Sequence, residues 1–151
     1  MAEWLEHTVQ IEVDAPIELV WSLWSDLTQM PRWMKWIEGV VIEPDDPSVS
    51  IWKLGSNGLV FNWKARIVKQ TPKQIIQWES IDGLPNRGAI RFYDRGEAGS
   101  IVKMTIAYAI PQIVSQIMNG LSLGKVVEST LYADLERFRD YAIKAQDQSI
   151  E

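Results

Sequence analysis

The eight tryptophans of this 151-residue chain constrain its fold more than any other feature of the sequence. Seven of them form a cluster in one short stretch and then a series along the predicted strands: Trp21, Trp24, Trp33 and Trp36, followed by Trp52, Trp63 and Trp78. Each indole buries on the order of 200 Å² and requires a partner for its N–H group. A small solid core seldom needs so many large rings, whereas a curved sheet around an apolar cavity does. The tryptophans therefore predict a pocket for a hydrophobic ligand.

The composition predicts a single domain over residues 1–151 and excludes several classes of function. The net charge is −5 and the 15 basic residues are scattered, so no basic surface is predicted for nucleic acid. The chain has no cysteine and one histidine, so we expect no metal site, no disulfide and no cofactor held by such groups. The start of the chain lacks the pattern of a signal peptide, and no apolar run approaches 18 residues. A cytoplasmic location is expected.

Residues 4–13 alternate between apolar and polar side chains, which predicts a half-buried first strand. Two short helices are predicted next, one capped by Asp14 with Pro16 in its first turn, and one that begins at Pro31 and carries residues 33–37. Turn signals then divide residues 38–109 into six further strands, and a long helix is predicted over about 112–145. This order indicates an α+β fold in which the long helix packs on a curved, seven-stranded antiparallel sheet.

Several weak motifs, taken together, identify a known superfamily. They include Asp14-Ala15-Pro16, Val20-Trp21 and Ser25-Asp26-Leu27, then Pro31, Trp33, Gly88 and Phe92, and the closing helix LYADLERFRDYA. With this order of elements the chain resembles the polyketide cyclase/dehydrase and coenzyme Q-binding branch of the START-like (SRPBCC) superfamily. The resemblance covers essentially the whole chain. It implies the helix-grip fold of the birch pollen allergens, with a deep apolar cavity between the C-terminal helix and the concave sheet.

Asp134 is the most unusual polar residue of the predicted interior. Helical spacing places it in the apolar stripe of the last helix, between Leu131 and Phe138. A carboxylate there is expected to be partly desolvated, which raises its pKa and suits acid–base chemistry or ligand anchoring. The alternative is structural: the carboxylate accepts a hydrogen bond from a backbone or indole N–H group, or pairs with Arg137.

His7 and Tyr108 are the other polar candidates on predicted inward faces. His7 lies in the first strand, and histidine is the side chain that ordinarily titrates near neutral pH. Tyr108 closes the inward face of the seventh strand, where its hydroxyl could bond a ligand carbonyl. Structural roles for both residues remain open. The predicted ligand-binding set combines these polar groups with the inward-facing large side chains: Trp52, Phe61, Trp63, Trp78, Phe92, Met104, Tyr108, Leu131, Asp134, Phe138 and His7.

Three functions are compatible with these residues. The first is binding or transport of a small hydrophobic ligand, such as a lipid, quinone, isoprenoid or polyketide. The second is a polyketide or terpenoid cyclase-dehydrase with Asp134 and Tyr108 as its catalytic acid–base pair. The third is an assembly module for a cofactor-bearing complex, with a protein partner that the sequence does not identify. The apolar segment 111–124 is a candidate lid, and also a candidate for transient contact with a membrane surface.

Overall fold

The computed structural model describes residues 3–56, 58–110 and 120–150. Seven antiparallel strands form one sheet in the order β1-β7-β6-β5-β4-β3-β2, so each strand from β2 onward pairs with its neighbour in sequence and β1 joins the far end, against β7. The strands are β1 (Glu3–Val13), β2 (Ile37–Ile42), β3 (Val49–Ser56), β4 (Leu59–Thr71), β5 (Ile75–Gly83), β6 (Asn86–Asp94) and β7 (Ser100–Ile110). This arrangement confirms the predicted α+β helix-grip fold.

Two α-helices pack against the sheet. The short helix α1 spans Ile17–Trp24, and the long C-terminal helix α2 spans Gly120–Ile150. The α2 face that packs on the sheet buries Leu131, Leu135, Phe138 and Ala142, as the helical spacing predicts. No helix within the described residues is both long enough and apolar enough to cross a membrane.

The predicted starts of both short helices are wrong. Pro16, rather than Asp14, is the N-cap residue of α1, and no side chain caps this helix. The second element is a 3-10 helix over Leu27–Arg32 that contains Pro31 and ends before the residues it was predicted to carry. Its N-cap residue is Asp26, whose side chain accepts hydrogen bonds from the backbone N–H and the hydroxyl of Thr28.

The predicted start of the long helix and most of the predicted lid, residues 111–119, lie outside the described residues. The described part of that segment, from Gly120 onward, belongs to α2.

The interior has a filled end, where α1 and the middle of α2 meet. There Trp24, Trp33 and Phe138 are almost fully buried and pack edge to face or tilted, with ring centroids 4.6–5.3 Å apart. Phe92 of β6 closes this cluster from the sheet, in contact with Trp21 and Trp24. Aromatic contacts of this kind add to the stabilisation from burial alone. These rings fill one end of the interior between the sheet and α2.

Candidate functional site

The other end of the grip is hollow. A cavity of about 260 Å³ lies between the concave face of the sheet and α2. Most of its wall is apolar, and residues from the 3-10 segment, from β2 to β7 and from α2 contribute to it: Leu27, Met30, Met34, Trp36, Ile37, Ser50, Trp52, Leu54, Phe61, Trp63, Ala65, Ile67, Ile76, Trp78, Leu84, Asn86, Ile90, Met104, Ile106, Tyr108, Ala109, Leu123, Val126, Val127, Thr130, Leu131 and Asp134.

Indole rings form a large part of this wall. Trp52 of β3 and Trp63 of β4 are register partners and stack nearly parallel, with an interplanar angle of 8° and centroids 5.8 Å apart. The indole N–H of Trp52 donates to Ser50 Oγ at 2.7 Å. This contact satisfies the polar atom of Trp52 and leaves the flat faces of the paired rings to shape the cavity.

Trp78 of β5 is held flat against the sheet by its neighbour on β6. Its indole N–H donates to Asn86 Oδ1 at 3.0 Å, and its six-membered ring lies over Gly88. A Cβ atom at Gly88 would lie 2.6 Å from Trp78 Cζ2 and 2.5 Å from the carbonyl oxygen of Thr105, which is closer than real contacts allow. Glycine is therefore required for Trp78 to lie against this wall.

The carboxylate of Asp134 lies at the cavity wall, and it already has partners. Asp134 is only 2% exposed; it accepts a hydrogen bond from the backbone N–H of Lys35 at 3.1 Å and forms an ion pair with Arg137. Arg137 also donates from Nε to the carbonyl oxygen of Trp33 at 3.1 Å. These contacts connect α2 to the chain that follows the 3-10 helix. The ion pair with Arg137 is one of the structural contacts that the sequence predicts for Asp134 as an alternative to a role in chemistry.

Asp134→Asn should remove a pH dependence of stability. Burial raises the pKa of the Asp134 carboxyl above its ordinary value of 3.8 and outweighs the lowering by Lys35 and Arg137. Its contribution to stability is therefore fully present below that ordinary value and is lost as pH rises through the raised pKa. We expect the free energy of unfolding of the native protein, relative to that of Asp134→Asn, to fall between pH 3 and 7 in urea titrations.

The control for this comparison is Asp140→Asn, because Asp140 is an exposed carboxylate on the same helix. If the free energy of unfolding of the native protein, relative to that of Asp134→Asn, rose with pH, the expectation would be contradicted. It would show that Arg137 stabilises the ionised carboxylate by more than burial costs.

His7 and Tyr108 form a second polar pair, at the junction of β1, β7 and α2. Nε2 of His7 lies 3.0 Å from the Tyr108 hydroxyl oxygen, and the two rings stack at a centroid distance of 5.6 Å. Nδ1 of His7 lies 3.5 Å from Oε2 of Glu128 on α2. Burial raises the pKa of the Tyr108 phenol to about 12, so this side chain remains protonated at neutral pH. Tyr108 lines the cavity, and His7 lies behind it.

The structure brings most of the predicted ligand-binding residues together at the cavity, but it places three of them elsewhere. His7 lies behind Tyr108 and does not line the cavity. Phe92 and Phe138 belong to the filled aromatic end instead of the cavity wall. Both point into the grip as predicted, but the indoles of Trp24 and Trp33 occupy the space in front of them.

Sequence reasoning missed several residues of the wall. Leu54, Ile67, Ile76, Ile90 and Ile106 lie on strand faces that alternation assigns to the interior, so the same signal could have included them. Met34 and Trp36 were missed because their segment was predicted as a helix that begins at Pro31. Asn86 follows a predicted turn, and no local pattern distinguishes it.

Comparison with known proteins decides the family. Residues 13–137 match the sequence model of the family described as polyketide cyclase / dehydrase and lipid transport. The chain belongs to this family. The predicted polyketide cyclase/dehydrase branch of the START-like (SRPBCC) superfamily is thereby confirmed. A curated relative, an uncharacterised 17.2 kDa protein from the melC2-rnhH intergenic region of Streptomyces lincolnensis, is 24% identical over 132 residues, which are 87% of this chain and 85% of the relative.

Solved structures share the fold of this chain. The Zhui aromatase/cyclase from Streptomyces sp. R1128 superposes with a TM-score of 0.72 at 19% identity, and 95% of each chain is covered. A START superfamily protein from Mycobacterium smegmatis superposes with a TM-score of 0.72 at 15% identity, covering 94% of this chain and 98% of that one. At these identities the likeness establishes the fold.

Proposed function

We propose that this protein binds a small hydrophobic molecule in the cavity between α2 and the concave sheet. The observation that carries the proposal is the wall itself, which combines four indoles with aliphatic side chains and a few polar groups. Ligand sites have this composition because apolar contact supplies affinity and a few polar groups fix orientation. The ligand classes are those named from the sequence: a lipid, a quinone, an isoprenoid or a polyketide.

The size of the cavity supports a compact ligand. Pockets that enclose drug-sized molecules usually measure roughly 300–1,000 Å³. The cavity here, at about 260 Å³, is slightly smaller. It therefore suits a molecule of one or two rings, or the apolar end of a longer one. Val126, which is 42% exposed and also lines the cavity, marks where such a molecule would reach solvent.

Catalysis as a cyclase or dehydrase is the second candidate, favoured by the family description and by the fold shared with an aromatase/cyclase. Such chemistry requires a group that exchanges protons with the ligand. Asp134 is engaged with Lys35 and Arg137, and Tyr108 has a raised pKa that disfavours its action as a base. These contacts support binding over turnover.

Native mass spectrometry of the protein purified from its own organism tests the proposal, followed by solvent extraction of whatever is bound. We expect a discrete hydrophobic adduct that extraction removes. A second arm measures binding of tetralin, a bicyclic hydrocarbon, to the extracted protein by calorimetry. An apo mass together with no detectable tetralin binding would overturn the proposal. Release of a chemically altered product from an added polyketone would instead establish the cyclase alternative.

A further inference from the structure

Three side chains form a continuous path from solvent to the cavity wall. Glu128 of α2 is 58% exposed, the His7 side chain behind it is 6% exposed, and Tyr108 lines the cavity. The atoms in contact are Glu128 Oε2, His7 Nδ1 and Nε2, and the Tyr108 hydroxyl oxygen, at 3.5 and 3.0 Å. The imidazole therefore connects an exposed carboxylate to a phenol that faces the proposed ligand.

We propose that the Glu128–His7–Tyr108 chain anchors an oxygen atom of the bound molecule, and that the protonation state of His7 decides whether a hydroxyl or a carbonyl oxygen is preferred. The proposal rests on the proposed binding function and adds the chemistry of the ligand's polar end. Asn86, the register partner of Tyr108, is already engaged, because its amide accepts from Trp78 and donates to the Leu84 carbonyl oxygen. Tyr108 is thus the polar side chain best placed to receive the ligand in this part of the wall.

With neutral His7 the phenol presents an acceptor to the cavity. The Glu128 carboxylate beside Nδ1 favours the tautomer that carries its proton there. Nε2 then holds a lone pair and accepts the Tyr108 O–H group, because a neutral imidazole has one donor and one acceptor. The hydroxyl oxygen of Tyr108 retains its own lone pairs, which accept a hydrogen bond from a ligand hydroxyl.

Protonation of His7 reverses this arrangement. Both ring nitrogens of an imidazolium are donors, so Nε2–H donates to the Tyr108 oxygen. The phenol proton is then directed away from His7 and is available to a ligand carbonyl. Tyr108 itself remains protonated in both states, since burial raises its pKa to about 12. The polarity of the anchor therefore changes without any change in the apolar wall.

Few other groups act on His7. Its same-face neighbours on β1 are Leu5 and Val9, and its register partner on β7 is Ile106. On α2, Gly124 lies over the ring, Lys125 is exposed, and Glu128 faces Nδ1. Within the described residues, Glu128 and Tyr108 are therefore the titratable groups in contact with this imidazole.

The test measures binding of three probes with one carbon skeleton: tetralin, 1-tetralol and 1-tetralone, by calorimetry from pH 5 to 8. We expect the preference for 1-tetralol over 1-tetralone to fall by roughly five- to tenfold as His7 becomes protonated, which is the scale of one net hydrogen bond. Tetralin binding should not change with pH. If tetralin itself fails to bind, the proposed function fails, and this outcome is distinct from failure of the anchor.

Three variants assign the effect to its residues. Tyr108→Phe and His7→Gln should each show one fixed preference between 1-tetralol and 1-tetralone at every pH. Glu128→Gln removes the anion that favours the Nδ1–H tautomer, so its preference for 1-tetralol at pH 8 should be smaller than that of the native protein. Glu136→Gln is the control, because it removes the same charge from α2 about 12 Å further along the helix.

Two outcomes would overturn the proposal. One is a preference in the native protein that does not vary with pH while tetralin binds normally. The other is the same pH-dependent preference in the native protein and in Tyr108→Phe. The Tyr108 variant keeps the test decisive even if His7→Gln folds poorly, because it removes the hydroxyl group that contacts His7 and leaves the aromatic ring in place.

Discussion

Trp24→Ala is expected to lower the free energy of unfolding by about 3–5 kcal/mol. Trp24 is fully buried, and its ring contacts Trp33, Phe92 and Phe138 at centroid distances of 4.6–6.5 Å. Its removal leaves a cavity at the filled end of the grip, and it also removes the edge-to-face contacts that hold α1 against α2. Chemical denaturation followed by far-ultraviolet circular dichroism measures the change.

Trp4→Ala is the matched control. Trp4 is 45% exposed, and its principal ring contact is with the Arg87 guanidinium, 4.7 Å from its centroid. An exposed cation–π contact contributes about 0.5–1 kcal/mol. Since Trp4 is also much less buried than Trp24, this variant should lose clearly less stability than Trp24→Ala. If Trp24→Ala lost as little as Trp4→Ala, the filled end would not be the main source of stability that its packing indicates.

Thr130→Trp should close the cavity and weaken the binding of tetralin by roughly five- to a hundredfold. Thr130 is half-buried on α2 and lines the cavity, so an indole at this position occupies the space of the ligand. Forcing extra volume into a packed site costs about 1–3 kcal/mol, which a bound molecule would have to overcome. Calorimetry with tetralin measures the affinity.

Ser129→Trp provides the control because it introduces the same ring one residue earlier on the same helix, at an exposed position that does not line the cavity. This variant should bind tetralin as the native protein does. Equal affinities for the two variants and the native protein would place the binding site elsewhere on the molecule. Unfolding measurements on both variants separate a loss of binding from a loss of fold.

The fold could be predicted because its signals are local. Alternation in residues 4–13 and the recurring turns define strands, and the spacing of Leu131, Leu135 and Phe138 defines the buried face of α2. The segment after α1 could not be predicted in the same way. Its local sequence is compatible with an α-helix from Pro31, but the burial of Trp33 against Trp24 and Phe138 determines where the chain turns.

The site could be predicted only in part, for a related reason. Alternation shows which face of a strand points inward, but it does not show how far along the strand the interior is filled. Phe92 and Met104 both face inward. Phe92 contacts an indole ring of α1, whereas Met104 lines the cavity. The partners of His7 were also beyond local reach, because Tyr108 lies 101 residues away in the sequence and Glu128 lies on a different element.

Under the proposed binding function, the division of the interior into a filled and a hollow end makes the protein's tolerance of destabilising substitutions depend on its ligand. A molecule that binds only the folded state at 100 times its dissociation constant adds about 2.7 kcal/mol to the free energy of unfolding. That gain is similar in size to the loss expected from a substitution at the opposite end of the same interior. Ligand abundance in the cell would therefore set which sequence changes around Trp24 persist. A ligand bound at the hollow end would offset the loss of stability caused by substitutions at the filled end.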